Sequence, residues 1–225
     1  MRIGIEGSLA VVVGALALAS AAVAATPDIR FTIGSTLLAL PQPTGFCLPT
    51  EDQAPLAEAI AAADNQNMTV STLLACNRNP AILPWSNYVL IKTPTAMVGR
   101  VFDKASILDE FDGIFSGPNS PKFDDKTTQE VAKGTERALG VRVEVTGTFG
   151  YAGRDADCVY LAGPMQAQVE GRIIKGLIAT CITVSWGKLV AVNLYKIAPN
   201  PDLTEINAMK AQARAIGITI HRVKS

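Results

Sequence analysis

Histidine is almost missing from this chain: the 225 residues contain one, His221, in the basic tail ITIHRVKS. Its place in a short tail reads as a surface or terminal-strand residue, so histidine-based acid–base catalysis has a single weak candidate. The usual nucleophile and phosphate signatures are missing as well. There is no G-x-S-x-G, no glycine-rich phosphate loop, no H-E-x-x-H and no C-x-x-C. Charge of one sign is also lacking, because 20 Lys and Arg balance 20 Asp and Glu. A neutral chain without a basic run offers no electrostatic case for nucleic acid or for an anionic membrane surface. No internal repeat, coiled-coil heptad or second hydrophobic span follows the N-terminal one.

What is present begins with that first span. Arg2 and the amino terminus precede an apolar run from Leu9 to Ala19, and Ala22-Val23-Ala24 supplies the small-x-small pattern of a signal-peptidase site. The expectation is a signal peptide over 1–24, cleaved, with one α+β domain over 25–225 exported to the periplasm or medium of a bacterium. An uncleaved anchor is the alternative, but Leu9 to Ala25 is only 17 residues, much of it alanine, which is marginal for a hydrocarbon core about 30 Å thick. After cleavage no transmembrane segment is expected.

Periodicity predicts the elements. Residues 25–34 read as an irregular lead-in and Thr36 to Leu40 as a short strand. A helix is expected over about 53–64 behind Asp52. Strands follow at 68–76 and 86–93, and a further one at 96–102. Asp103 caps a predicted helix over 104–115, with Ile107, Leu108, Phe111, Ile114 and Phe115 as its apolar stripe. SGPNSPKFDD reads as a loop, and 126–139 as a weaker helix ended by Gly140. Val141 to Phe149 alternates as a half-wet strand. Strands at 158–168, 172–185 and 189–197 complete a meander with a tight turn at Gly187-Lys188. Asn200 and Pro201 open a closing helix that Gly217 ends. Strands joined by short turns pair antiparallel. The class is therefore an antiparallel sheet with a C-terminal meander and helices packed mainly on one face. The 181–197 hairpin is apolar on both faces and should lie centrally, covered on both sides.

Four cysteines, Cys47, Cys76, Cys158 and Cys181, allow three pairings. In an exported chain they read as structural disulfides. Cys47 precedes the first helix and Cys76 ends the strand returning from it, so local pairing is natural. A turn near Glu170-Gly171, with its centre shifted or a small bulge, would set Cys158 directly opposite Cys181 and Gly163 opposite Gly176. A rival turn at Lys175-Gly176 would leave the two cysteines about 10 Å apart, too far to bond. Metal ligation is the weaker reading, since no close cysteine pair exists.

Acidic clusters are the remaining chemistry. Asp109, Glu110 and Asp112 lie on a helix and read as its solvated side; Asp124 and Asp125 read as caps. Arg154, Asp155 and Asp157 fall in YAGRDADC between two strands, a place where function concentrates. They form the one candidate loop site. No catalytic residue, cofactor or metal ligand is assigned.

GFCLPTEDQ, the helix after it and the strand ending in Cys76 resemble an uncharacterised secreted alphaproteobacterial family. The closing order of strands, WGKLVAVNLY and a C-terminal helix resembles the PsbP/MOG1-like fold, which implies a binding or assembly module and no shared catalytic residues. The leading expectation is a non-enzymatic exported domain that binds a protein or envelope component. An enzyme using carboxylates near Asp155 and Asp157, and a small-ligand carrier, remain open alternatives.

Overall fold

Three long strands near the C-terminus set the architecture. The computed structural model describes residues 28–62, 64–76, 86–117, 133, 143–147, 149–169 and 171–224. The expected leader, most of the loop after Ser116, the helix over 126–139 except Lys133, and the caps Asp124 and Asp125 lie outside the described residues. The described residues hold eleven strands and three α-helices. In chain order these are β1 (Ile29–Ile33), β2 (Thr36–Leu40), β3 (Phe46–Cys47), α1 (Ala54–Ala62), β4 (Asn67–Ala75), β5 (Asn87–Pro94), α2 (Lys104–Ser116), β6 (Val143–Gly147), β7 (Gly150–Arg154), β8 (Val159–Val169), β9 (Arg172–Ser185), β10 (Lys188–Ile197), α3 (Ile206–Thr219) and β11 (His221–Arg222).

The large sheet has eight strands, in the order β3-β4-β5-β10-β9-β8-β6, with β7 also pairing β8 along a different part of that strand from β6. Every pairing in it is antiparallel. A second sheet, β1-β2-β11, is also antiparallel. The α+β class and the closing meander are as expected. The β9–β10 hairpin is central, flanked by β8 and β5.

Alternation explains how it is covered. Cys181, Val190, Val192 and Leu194 share one face of the hairpin and are buried. They pack with Met209, Ala213 and Ile216 of α3 and with Ile33, Leu38 and Leu40 of the small sheet. On the opposite face Val184 and Leu189 pack with Ile107 and Phe111 of α2. Each fully buried aliphatic contributes roughly 1.5–3 kcal/mol relative to leaving it exposed. Among the described residues no helix is long and apolar enough to cross a membrane.

Several boundaries differ from the expectations, each for a local reason. Residues 29–33 are a strand, not a lead-in: a two-residue turn with Gly34 at φ +61° pairs Ile33 with Thr36. Thr95–Met97 is a single 3₁₀ turn and no strand continues from it to Phe102. The closing helix is capped by Asp202, which accepts from the Thr204 amide at 2.9 Å at the start of a 3₁₀ turn that leads into α3. Gly217 does not end α3 but lies inside it, buried. A β-carbon there would sit 3.2 Å from Cys181 Sγ and 3.3 Å from Thr183 Cγ2. The glycine is what lets the helix close on the sheet.

The hairpin registers differ too. Val169 pairs with Arg172, so Tyr160, not Cys158, lies opposite Cys181 and Gly163 faces Ile178. Strand β9 runs straight through Lys175-Gly176. Cys158 precedes β8 on the same face and reaches Cys181 diagonally, with a Cα–Cα distance of 5.3 Å. A bridge therefore does not require the direct register. The β9–β10 turn is Trp186-Gly187, one residue earlier than expected, because Ser185 pairs with Lys188.

Candidate functional site

The predicted loop is shorter than its sequence suggests. Gly150 to Arg154 pairs with β8 as β7, so the turn is confined to Asp155–Cys158. Asp155 organises it. Its Oδ1 accepts from the amides of Asp157 and Cys158, each at 2.8 Å, and its own amide donates to the Cys158 carbonyl at 3.0 Å. An aspartate bonding backbone two and three residues on is the usual means of closing such a turn. Asp155 Oδ2 accepts from the Tyr160 hydroxyl at 2.6 Å.

Two helices reach this turn from opposite faces of the sheet. Lys104, at the start of α2, places Nζ 2.6 Å from Asp157 Oδ1. Arg214 of α3 pairs Nη2 with Asp157 Oδ2 and lies with Nε 3.2 Å from Asp155 Oδ2, close enough for an ion pair but without hydrogen-bond alignment. The Asp157 carbonyl accepts from Thr183 Oγ1 of β9. Lys210 donates to the Ala152 carbonyl and stands 4.8 Å above the Tyr160 ring, a cation–π contact. Arg154 turns away, to Asp109 at 2.5 Å and, more distantly, Asp112 of α2. Asp112 also accepts from the Tyr151 hydroxyl. The acidic side of α2 is thus a partner for β7 and not only a solvated face.

These contacts settle the protonation states. Burial pushes the Asp155 carboxyl up, but the bonds from Tyr160 and the two turn amides, with the charge of Arg214, outweigh it and hold it below its ordinary value. The bond from Lys104 does the same for Asp157, against some desolvation and with help from Arg214. Burial, then the bond to Asp155, raises Tyr160 well above an ordinary phenol. A general acid needs a carboxyl raised toward neutrality; these two are ionised and each is engaged by a cation of the chain. Arg154, Asp155 and Asp157 are brought to one junction, but as a clasp between α2, β7, β8 and α3. Among the described residues no three His, Cys, Asp or Glu side chains converge as metal ligands.

The four cysteines lie in two bridges, Cys47–Cys76 and Cys158–Cys181. Cys158 and Cys181 are completely buried, under α3 and beside the Asp155 turn. Cys47 and Cys76 are only half-buried, at the sheet edge where β3 meets β4.

The most exposed chemistry lies at a place the sequence reading did not single out. With the turn expected at Gly187-Lys188, Trp186 would close a covered strand; it is instead 61% exposed, because it occupies the turn. Its φ is +52°, and among the described residues no other non-glycine has positive φ. Gly187 follows at +78°. Two successive positive values make the tight turn that suits strand twist, where Asn, Asp or Gly ordinarily stand. Val101, 79% exposed, packs beside the turn: a β-carbon on Gly187 would meet its Cγ1 at 2.8 Å. The Phe102 amide donates to the Gly187 carbonyl at 2.9 Å. Beneath them lies Lys188, 3% exposed, which donates from Nζ to the carbonyls of Val98 and Arg100 at 3.1 and 2.9 Å. That buried ammonium fixes the segment carrying Val101 against the hairpin tip. The legible signal was W-G-K: an indole in a turn slot, then a lysine in register with Val190, Val192 and Leu194.

No described protein family matches the chain, and no curated protein does. Among solved structures it is similar to the crystal structure of LpqN, involved in cell envelope biogenesis of Mycobacterium tuberculosis. Identity is 13%, over 88% of this chain and 91% of that one, with a TM-score of 0.32. At that score the two chain paths are too different for anything to be carried across.

Proposed function

We propose that this is an exported binding domain, spanning 25–225 after removal of 1–24, that engages a protein or envelope component through the tip of the β9–β10 hairpin. The observation that carries the reading is Trp186, held exposed in a left-handed conformation with Val101 beside it. A bulky residue at positive φ costs about 1–3 kcal/mol, and such outliers cluster at functional positions. Tryptophan is also the residue type most enriched among binding hot spots. A lysine buried solely to brace the neighbouring segment makes the tip rigid, which lowers the ordering cost of binding. Two disulfides fit an oxidising compartment, periplasm or medium. A binding role agrees with what the PsbP/MOG1-like resemblance implies. The loop at Asp155 and Asp157 supports the tip's domain and is assigned no chemistry.

The test is site-specific photocrosslinking in the bacterial envelope. A photoreactive residue at 186 should give a discrete adduct that the same probe at Glu58, exposed on α1, does not give. Absence of an adduct at 186, or the same adducts at both positions, would overturn the reading.

A further inference from the structure

The two disulfides differ in what surrounds them, and the difference assigns them different chemistry. Cys158 and Cys181 have no exposed surface. Sγ of Cys181 is packed against the backbone of Gly217, and the Cys158 amide is bound into the Asp155 turn. A thiol can reach that bridge only after α3 has lifted from the sheet. Cys47 and Cys76 are half-buried at the sheet edge: Cys47 lies on the two-residue strand β3, which pairs with Ala75 and Leu74, and Cys76 follows β4, its amide donating to the Gly45 carbonyl at 2.9 Å. Gln42, also half-buried, directs Nε2 to Cys47 Sγ at 3.4 Å. It is the side-chain donor at that sulfur among the described residues.

We infer that Cys47–Cys76 is a thiol–disulfide exchange site for a dithiol reductant, with Gln42 as the group that sets its direction. Exchange proceeds by attack of a thiolate on one sulfur while the other leaves as thiolate. Leaving is faster from the sulfur whose negative charge is better stabilised. The Gln42 N–H points at Cys47, so Cys47 departs and Cys76 is attacked. The first thiolate of the reductant forms a mixed disulfide with Cys76, and the Cys47–Cys76 bond breaks with its electron pair on Cys47. The second thiol of the reductant, deprotonated, then attacks its own sulfur in the mixed disulfide and releases Cys76 as thiolate. Two electrons pass to the protein, both cysteines take up protons, and the reductant closes to its own disulfide. Release frees β3 from the end of β4, while the core bridge stays closed and the domain stays folded. Gln42 here is a positioning residue for the leaving sulfur.

The experiment treats the oxidised, folded protein with dithiothreitol, quenches with an alkylating agent and maps the modified cysteines by mass spectrometry over time. Cys47 and Cys76 should be alkylated faster than Cys158 and Cys181 by more than roughly tenfold, since the buried pair needs a larger opening. The mixed disulfide trapped with a monothiol should sit on Cys76. Gln42→Leu should slow cleavage about three- to tenfold, and Gln42→Lys, which places a cation at the same sulfur, should restore or exceed the original rate. A merely structural glutamine would not give these opposite directions. Equal reduction of both bridges, the mixed disulfide on Cys47, or the same rate in all three proteins would overturn the assignment.

Discussion

Gly217→Ala should destabilise the protein, although it replaces glycine with alanine inside a helix. In an open helix interior the same change stabilises by about 1 kcal/mol, because alanine loses less backbone freedom on folding. Gly113 of α2 supplies that reference, since a β-carbon there meets nothing within 4 Å. At Gly217 the new methyl would stand 3.2 Å from Cys181 Sγ, 3.3 Å from Thr183 Cγ2 and 3.6 Å from Val192 Cγ2. The sulfur is bridged to Cys158 and cannot swing aside, and Val192 is fully buried. Overpacking of this kind costs roughly 1–3 kcal/mol. Set against the helix gain, a net loss of about 1 kcal/mol is expected. Relative to Gly113→Ala the difference is about 2 kcal/mol, with opposite signs. For a chain of this size each 1 kcal/mol moves Tm by about 2–4 °C. Urea midpoints and thermal melts of the two variants read this directly. A third protein sharpens it: with Cys158 and Cys181 both replaced by alanine the closest contact is gone, and Gly217→Ala should lose most of its penalty. An equal gain at both glycines, or a Gly217 penalty indifferent to the disulfide, would refute the packing account.

Three further outcomes are expected. Replacing Cys158, Cys181 or both by alanine should cost about the same, about 3–4 kcal/mol for a loop of this length, by urea unfolding without reductant; additive losses would mean the two do not act as one bridge. Asp157 is held below its ordinary carboxyl value by Lys104 and Arg214, so its contribution is present above about pH 4 and is lost as pH falls through the lower folded value. The midpoint gap between the wild type and Asp157→Asn should therefore be open near about pH 6 and shrink progressively as pH falls below about 4. Lys188→Met keeps the buried stem but strands the carbonyls of Val98 and Arg100, and should cost roughly 2–4 kcal/mol by the same assay.

Much of the fold was legible because period and punctuation agree. The meander is legible as three long alternating or apolar runs separated by glycine-containing turns, and the start of α2 from an aspartate placed to accept from the Ser106 amide. The parts that misread are those where tertiary contact decides. Gly217 looks like a helix stop because sequence alone cannot show a sulfur 3.2 Å away. Residues 29–33 look irregular because the pairing that makes them a strand comes from β2. The register of β8 and β9 was misjudged by assuming that bridged cysteines must be directly opposed. The acidic loop was located from its residues, but Lys104 and Arg214, which neutralise it, and Tyr160, which donates to it, lie at positions no motif connects. Trp186 borders the expected Gly187-Lys188 turn, and its residue type gives no sign that the turn begins one position earlier.

The strand order carries a consequence for how the chain reaches this state. The sheet's middle seam is β5 against β10, where Lys92 pairs with Ala191. Everything up to Pro94 therefore lacks its central neighbour until nearly the whole polypeptide exists, and closing so long a loop makes folding slow, on the scale of milliseconds to seconds for strand-rich domains. Each disulfide, by contrast, spans a short stretch, 29 residues on one side of the seam and 23 on the other. Either bridge can form without waiting for the other half. A chain emerging N-terminus first would carry the Cys47–Cys76 link well before Cys181 appears, so oxidation should proceed in that order, with the seam zipping last around two halves already stapled.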